Sequence, residues 1–287
     1  MYASALQSEC RPEASGSGAT QAIRARGHID VVCGLHGGKS VRGRVREEGS
    51  LRVRFPREYG PSLTGVIVNT GGGMTGGDRF AIAAEAQAGA RLTLTTSAAE
   101  KFYRSLGETA HVEVILCARA GSSLAWLPQE AILFDVAKVR RTYDIHGYGD
   151  ASVLLCDLNC IGRLAMGECV TDLQAFDRWR IWWDGKLRYA DFARIAGDPG
   201  ILLSGPAATA GAMSFGTLVL CSAKAEESCW SLRSVMADIQ GVECAAGLVN
   251  GICAARFVAP DIARLRAAMS VCITTVSGEA LPRSWAT

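Results

Sequence analysis

Residues 69–96 read NTGGGMTGGDRFAIAAEAQAGARLTLTT, and the fold turns on whether the glycines lead into a helix or a strand. Gly71, Gly73 and Gly76 satisfy G-x-G-x-x-G, the pattern of a dinucleotide-binding turn. VIVN (66–69) supplies the strand such a turn needs in front. A helix must also come after it, because its N-terminal amides hold the pyrophosphate. Instead the apolar residues fall at 80, 82 and 84, then at Leu92 and Leu94, two alternating halves about a turn near Gly89. No Lys-Ser/Thr pair is present there for a phosphate loop. The reading is strand–turn–strand, with Gly71, Gly72, Gly73, Gly76 and Gly77 forming a tight loop whose backbone reaches positive φ. Asp78 comes after two glycines, which should leave its carboxylate little shielded. Alone, it reads as an Asx-turn that caps the loop.

The same alternation runs outward from this loop. Val41, Gly43 and Val45 oppose Arg42, Arg44 and Arg46; Leu51, Val53 and Phe55 oppose Arg52 and Arg54. Two strands joined through Glu47-Glu48-Gly49-Ser50 fit this pattern. LTLTT (92–96), VEVIL (112–116), VRRTYDI (139–145), SVLLCDL (152–158), WRIWW (179–183) and GTLVLC (216–221) also read as strands. Turn signals separate them, including Gly107, Gly121, Gly149, Asp184-Gly185 and Asp198-Pro199-Gly200. Helical spacing appears late, at Cys229, Leu232, Met236 and Ile239, and again at Ile262, Leu265, Met269 and Cys272 after Pro260-Asp261. A mainly β protein with two α-helices in its C-terminal part is expected. Alternation alone leaves a sandwich and a solenoid equally open.

With 287 residues, 49% apolar and 20% charged, the chain is an ordinary globular protein with enough length for a large core. The residues before about Gln21 read as a flexible tail. We place a single domain over 25–287, β to about 205 and strand-helix-strand-helix over 206–280. A net charge of +2 argues against nucleic acid or an anionic membrane as the main partner. The five arginines of the 42–54 region could face an acidic partner or RNA, but they lack interleaved aromatics for base stacking. Eleven cysteines, none in C-x-x-C, suggest a reducing, cytoplasmic compartment. Cys156 and Cys160 on one strand would lie about 13 Å apart, too far to share an ion, and read as core. The four histidines show no dyad spacing, G-x-S-x-G is absent, and no nucleophile has a marked base. An enzyme is not expected.

Five segments resemble the urease accessory protein UreD (UreH) family. They are GGGMTGGD (71–78), TTSAAEKFYRS (95–105), LAWLPQEAILF (124–134), IGRLAMGE (161–168) and LPRSWAT (281–287), in order along the chain. The departures are Thr75, Ser97 and Glu100, the last standing where the family has a small hydroxyl or similar residue. The resemblance implies a wound β-superhelix and a chaperone-like scaffold in maturation of the urease nickel centre. It implies apo-urease and UreF as partners, with the GTPase UreG reached through UreF. No permanently bound cofactor is implied, only transient nickel on a water-filled interior route. Asp78, Asp157 and Asp191 are the acidic positions it places on that route. For Asp157 and Asp191 a plain hydrogen-bonded strand residue is the competing reading. Lys101, Tyr103 and Arg104, then Trp126, Pro128, Gln129 and Glu130, and Gly162, Arg163 and Glu168 carry the family motifs and read as structural or contact residues. Trp285, close to the end of the sequence, must pack inward or meet a partner, and we expect the C-terminal part to contribute to docking. The rival class is a stand-alone enzyme or small-ligand-binding β-solenoid.

Overall fold

The computed structural model describes residues 24–57, 62–163 and 166–286. The expected tail lies outside the described residues, apart from Arg24. Alternation makes the strands: in β1 (Arg26–His36) Ile29, Val31 and Cys33 are fully buried, while His28, Asp30 and Val32 between them are half-exposed. β2 (Lys39–Gly49) returns antiparallel on β1. β3 (Leu51–Arg54) and β4 (Leu63–Asn69) then pair in a second sheet, and β5 (Arg79–Ala86) comes back parallel to β1. No helix succeeds the glycine loop, as the sequence indicates.

The chain keeps alternating between two walls. β6 (Arg91–Thr96) joins the second sheet, and short β7 (Glu100–Phe102) leads on to β8 (Ala110–Ala118) in the first. β9 (Ser123–Leu127), short β10 (Ala131–Leu133), β11 (Lys138–Gly147), β12 (Ser152–Ile161) and β13 (Leu173–Trp183) repeat that circuit. β14 (Lys186–Gly197) closes the first sheet by turning back on β13. Among the described residues the first sheet runs β14-β13-β11-β8-β5-β1-β2, and β4, β6, β9 and β12 stack in parallel in the second. The protein is mainly β, a β-solenoid of about four turns.

One expectation changes at the first corner. The strands flanking Glu47–Ser50 belong to different sheets, so the chain crosses between walls there. Gly49 makes the crossing possible: its φ is +61°, and a Cβ would collide with the Arg26 carbonyl oxygen. The five arginines therefore do not share a face. Arg44 pairs with Asp30, Arg46 with Glu48 and Arg54 with Glu47, while Arg42 lies over Phe55.

The C-terminal part keeps the predicted order; the four-residue α1 (Pro199–Leu202) at the Asp198-Pro199-Gly200 turn comes before it, and a single 3-10 turn over Arg283–Trp285 comes after it. β15 (Ser214–Cys221) pairs with β12, α2 (Ala225–Met236) comes next, and β16 (Glu243–Val249) and β17 (Ile252–Ala259) complete the second sheet. α3 (Ile262–Ser277) starts at Asp261, whose carboxylate accepts the Arg264 N–H at 2.8 Å. Cys229, Leu232 and Met236 of α2, and Leu265, Met269 and Cys272 of α3, bury their predicted stripes; Ile239 lies beyond the end of α2. They pack on the outer face of the second sheet, where Cys156 belongs to the same core; Cys160 is also buried. The larger core lies between the sheets. The outer face of the first sheet stays half-buried or exposed.

Trp285 packs inward. Its indole N–H donates to the Leu127 carbonyl at 3.0 Å, the Arg266 guanidinium lies over its ring, and it is 6% exposed. Trp285→Ala should therefore lower stability by about 3–5 kcal/mol, read as a shift in the denaturant midpoint. A loss below about 1 kcal/mol would show that the ring is not part of the core.

Candidate functional site between the sheets

The motif segments meet at one corner of the solenoid. Asn69 organises the glycine loop: its side-chain oxygen accepts the Gly71 N–H at 2.9 Å, and its amide donates to the Gly73 carbonyl and to Glu100. Gly73 has φ +151°, and a Cβ there would lie 2.8 Å from the Lys101 carbonyl and against the Tyr103 ring. Glycine is needed so that the loop can press on the 101–104 segment. Met74 and Phe102 form a bridge, Tyr103 Oη donates to the Gly72 carbonyl, and the Thr75 hydroxyl donates to that of Arg104. Lys101, Tyr103 and Arg104 are exposed at the side chain.

Asp78 is not open to solvent. It is 4% exposed, and its two oxygens accept the N–H groups of Ala25 and Thr75, each at 2.8 Å. The glycines before it shape the backbone so that the carboxylate folds under the loop. The other motifs also clasp. Glu168 accepts the Arg163 backbone N–H and its guanidinium Nε, next to Gly162 in the left-handed region. Gln129 donates to the Ser284 carbonyl at 2.7 Å, and Glu130 pairs with Arg266. Trp126 and the Pro128 corner pack inward beside them.

The interior between the sheets is not wholly apolar. Arg141 on β11 faces inward and donates from Nε to Asp177 Oδ1 at 2.7 Å, and from Nη2 to the second Asp177 oxygen. The same guanidinium reaches across to Asp157 on β12, at 3.2 and 3.3 Å, and to Asn159 at 2.6 Å. All four side chains are buried. Burial alone would push the arginine down, but the carboxylates of Asp157 and Asp177 outweigh it and hold it firmly charged. Burial pushes Asp177 up, against the pull of Arg141. One cation thus faces two carboxylates.

This charged set continues to the surface. Asp157, Thr217 and Arg256 are neighbours in one row across β12, β15 and β17. Arg256 donates to the Thr217 hydroxyl at 2.7 Å and closes an ion pair with Asp191 on edge strand β14. Arg256 is half-exposed, so the row ends in solvent. On the other side it opens into a cavity of about 60 Å³ bounded by Met74, Glu100, Trp126, Arg141, Tyr143 and Asp157. Its walls are mainly apolar, with Glu100, Gln129, Arg141 and Asp157 among the polar groups on them, and the volume accommodates a few waters. The Trp126 indole N–H is buried there without a hydrogen-bond partner among the described residues. Burial raises Glu100 to about 7, against the Asn69 hydrogen bond that favours its ionised form.

A family model described as "UreD urease accessory protein" matches residues 25–286. The chain belongs to the UreD family. It is 45% identical over 264 residues to a urease accessory protein UreD of Rhodopseudomonas palustris, covering 92% of this chain and 94% of that one. A UreD 3 of a Bradyrhizobium species is 40% identical over 276 residues, covering 96% and 98%. The UreD of Azorhizobium caulinodans is 40% identical over 270 residues, covering 94% and 99%.

Of the three acids placed by the UreD resemblance, Asp157 and Asp191 fall at the two ends of one polar row, and Asp78 holds a turn elsewhere. Arg141, Asp177, Arg256 and Glu100 are additional members that motif reasoning missed. Among the described residues, no three His, Cys, Asp or Glu side chains converge to ligate one metal ion. No described helix is long and apolar enough to cross a membrane.

Glu100 gives a test of this geometry. Its native pKa of about 7 lies above that of an unfolded glutamate, 4.5. The native state therefore binds the proton more tightly, and this stabilisation is full below about pH 4.5 and lost as pH rises through 7. Glu100→Gln keeps the acceptor for Asn69 and removes the titration. The variant should gain on the wild type by about 1–3 kcal/mol between pH 5 and 8. An unchanged difference across that range would show that Glu100 is solvated.

Proposed function

We propose that this chain is a non-enzymatic, chaperone-like accessory subunit in urease maturation, and that nickel passes along the polar row between its sheets. Family membership supports the urease role. The nickel reading rests on one observation: a buried row of carboxylates and compensating cations that leads from an interior cavity edged by Glu100, Arg141 and Asp157 to solvent at Asp191 and Arg256. Carboxylate oxygens hold nickel more loosely than imidazole or thiolate, which suits passage rather than storage. Asp157 and Asp177 lower the cost of a divalent ion inside the protein, and Arg141 limits how tightly it is held. The partners in this reading are apo-urease and UreF, with UreG reached through UreF, and the compartment is the cytoplasm. GTP chemistry would lie with UreG, in keeping with a glycine loop that leads into a strand. The interior cavity is well below the several hundred Å³ of a site for a drug-sized ligand, which weighs against a small-ligand site between the sheets.

The test is the nickel content of urease matured in cells with Asp157→Asn and Asp191→Asn, at matched levels of soluble accessory complex. Asparagine keeps hydrogen bonding and removes charge, so nickel loading should fall severalfold in both. Full loading in both would end the transit reading. Asp78 enters the same measurement. Asp78→Ala should cost about 1 kcal/mol as a lost turn clasp. If Asp78→Asn restores loading, the clasp is its whole role; a persisting nickel deficit assigns it to the route.

A further inference from the structure

The outer face of the first sheet carries a row that the proposed function does not use. Register places Arg26 of β1 beside Arg79 of β5, then His111 of β8, Arg140 of β11, Phe176 of β13 and Arg194 of β14. These positions point away from the core: the four arginines are exposed, and His111 and Phe176 half-buried. With strands about 4.8 Å apart, the row is about 24 Å long. It contains no acid. None of the four guanidinium groups has an ion-pair or hydrogen-bond partner among the described residues; that of Arg140 only lies over the Phe176 ring, 4.1 Å from its centre. Elsewhere on this face Arg44, Arg119 and Arg180 are each paired, with Asp30, Glu85 and Asp144. Burial, and then the guanidiniums of Arg79 and Arg140, push the His111 imidazole down, as expected where positive charge is uncompensated.

We propose that this row is a docking strip for an extended acidic segment of a partner protein, laid across the strands of the first sheet. About seven extended residues span its length. Unpaired guanidiniums in single file match carboxylates presented along one edge of such a segment, and each can take a carboxylate in a two-pronged contact. Phe176, with Phe192 edge-on against it at 4.5 Å, adds apolar contact at one end. Single-stranded nucleic acid fits less well. It needs open aromatic faces for stacking, whereas Arg140 covers one face of Phe176. The segment before residue 24 cannot neutralise the strip, because it holds only Glu9 and Glu13 against Arg11.

The test is fluorescence anisotropy of a labelled octaglutamate peptide with the full chain, beside labelled octauridylate. Octaglutamate should bind more tightly than octauridylate, and its binding should weaken steeply as salt rises toward about 0.3 M. The double variant Arg79→Ser/Arg140→Ser should lose at least about tenfold in affinity, as should the end-of-row pair Arg26→Ser/Arg194→Ser. Arg264→Ser, on the exposed side of α3, should bind as the wild type. Thermal melts confirm that each variant is folded, and the second pair keeps the test decisive if the first does not fold. Three results overturn the proposal: no octaglutamate binding at low salt, equal affinity in the folded row variants, or tighter binding of octauridylate. None of them bears on nickel transit, which involves the opposite face of the sheet.

Discussion

Arg141 stands where the two walls of the solenoid face each other, bonded to Asp177 on its own sheet and to Asp157 and Asn159 on the other. Removing one partner of a buried set like this typically costs about 3–5 kcal/mol, while well-packed apolar replacements of the whole set are often neutral or better. Stability alone therefore does not account for the set. What it provides is a charged discontinuity in a mainly apolar interior, at one level of the winding. The cavity beside Glu100 and the row toward Asp191 both begin there.

The motif residues act around this centre more than in it. Asn69 ties the glycine loop to Glu100, and Gly73 lets that loop reach the 101–104 backbone. The Gln129–Glu130 corner binds Ser284 and Arg266, which fixes the C-terminal segment over the end of β9. Such contacts set the walls of the cavity without lending chemistry to it. Glu100, one of the three departures from the family pattern, is also the residue that changes the cavity's charge near neutral pH.

Much of this was legible in the sequence. Period-two patterning located the strands, including the one that comes after the glycines, and three- and four-residue spacing located both long helices. The winding was legible only through resemblance, because alternation fixes which side of a strand is buried and not which strand lies beside it. Pairing between Arg26 and Arg79 joins residues 53 positions apart, and no local signal encodes it. The interior charges did leave a trace. Arg141 has the same parity as Val139, Tyr143 and Ile145, and Asp177 the same as Ala175, Trp179 and Ile181. Both therefore sit on the apolar side of their strands, where a charge must find a partner. Asp191 carried no such mark, since its strand lies at an edge and alternates weakly.

The stacking order of the first sheet also governs how the chain comes to be folded. β5 adds to β1, β8 to β5, β11 to β8 and β13 to β11, each only after a full circuit through the opposite wall. Non-local parallel pairing of this kind forms slowly, because loop closure must precede any gain from contact. A nascent chain that has emerged as far as β8 presents VEVILC along an unpaired edge until β11 is synthesised. During that interval the growing ladder is open to pairing with another chain. The winding thus makes the rate of synthesis and the local concentration of unfinished chains determinants of yield, independently of how stable the completed protein is.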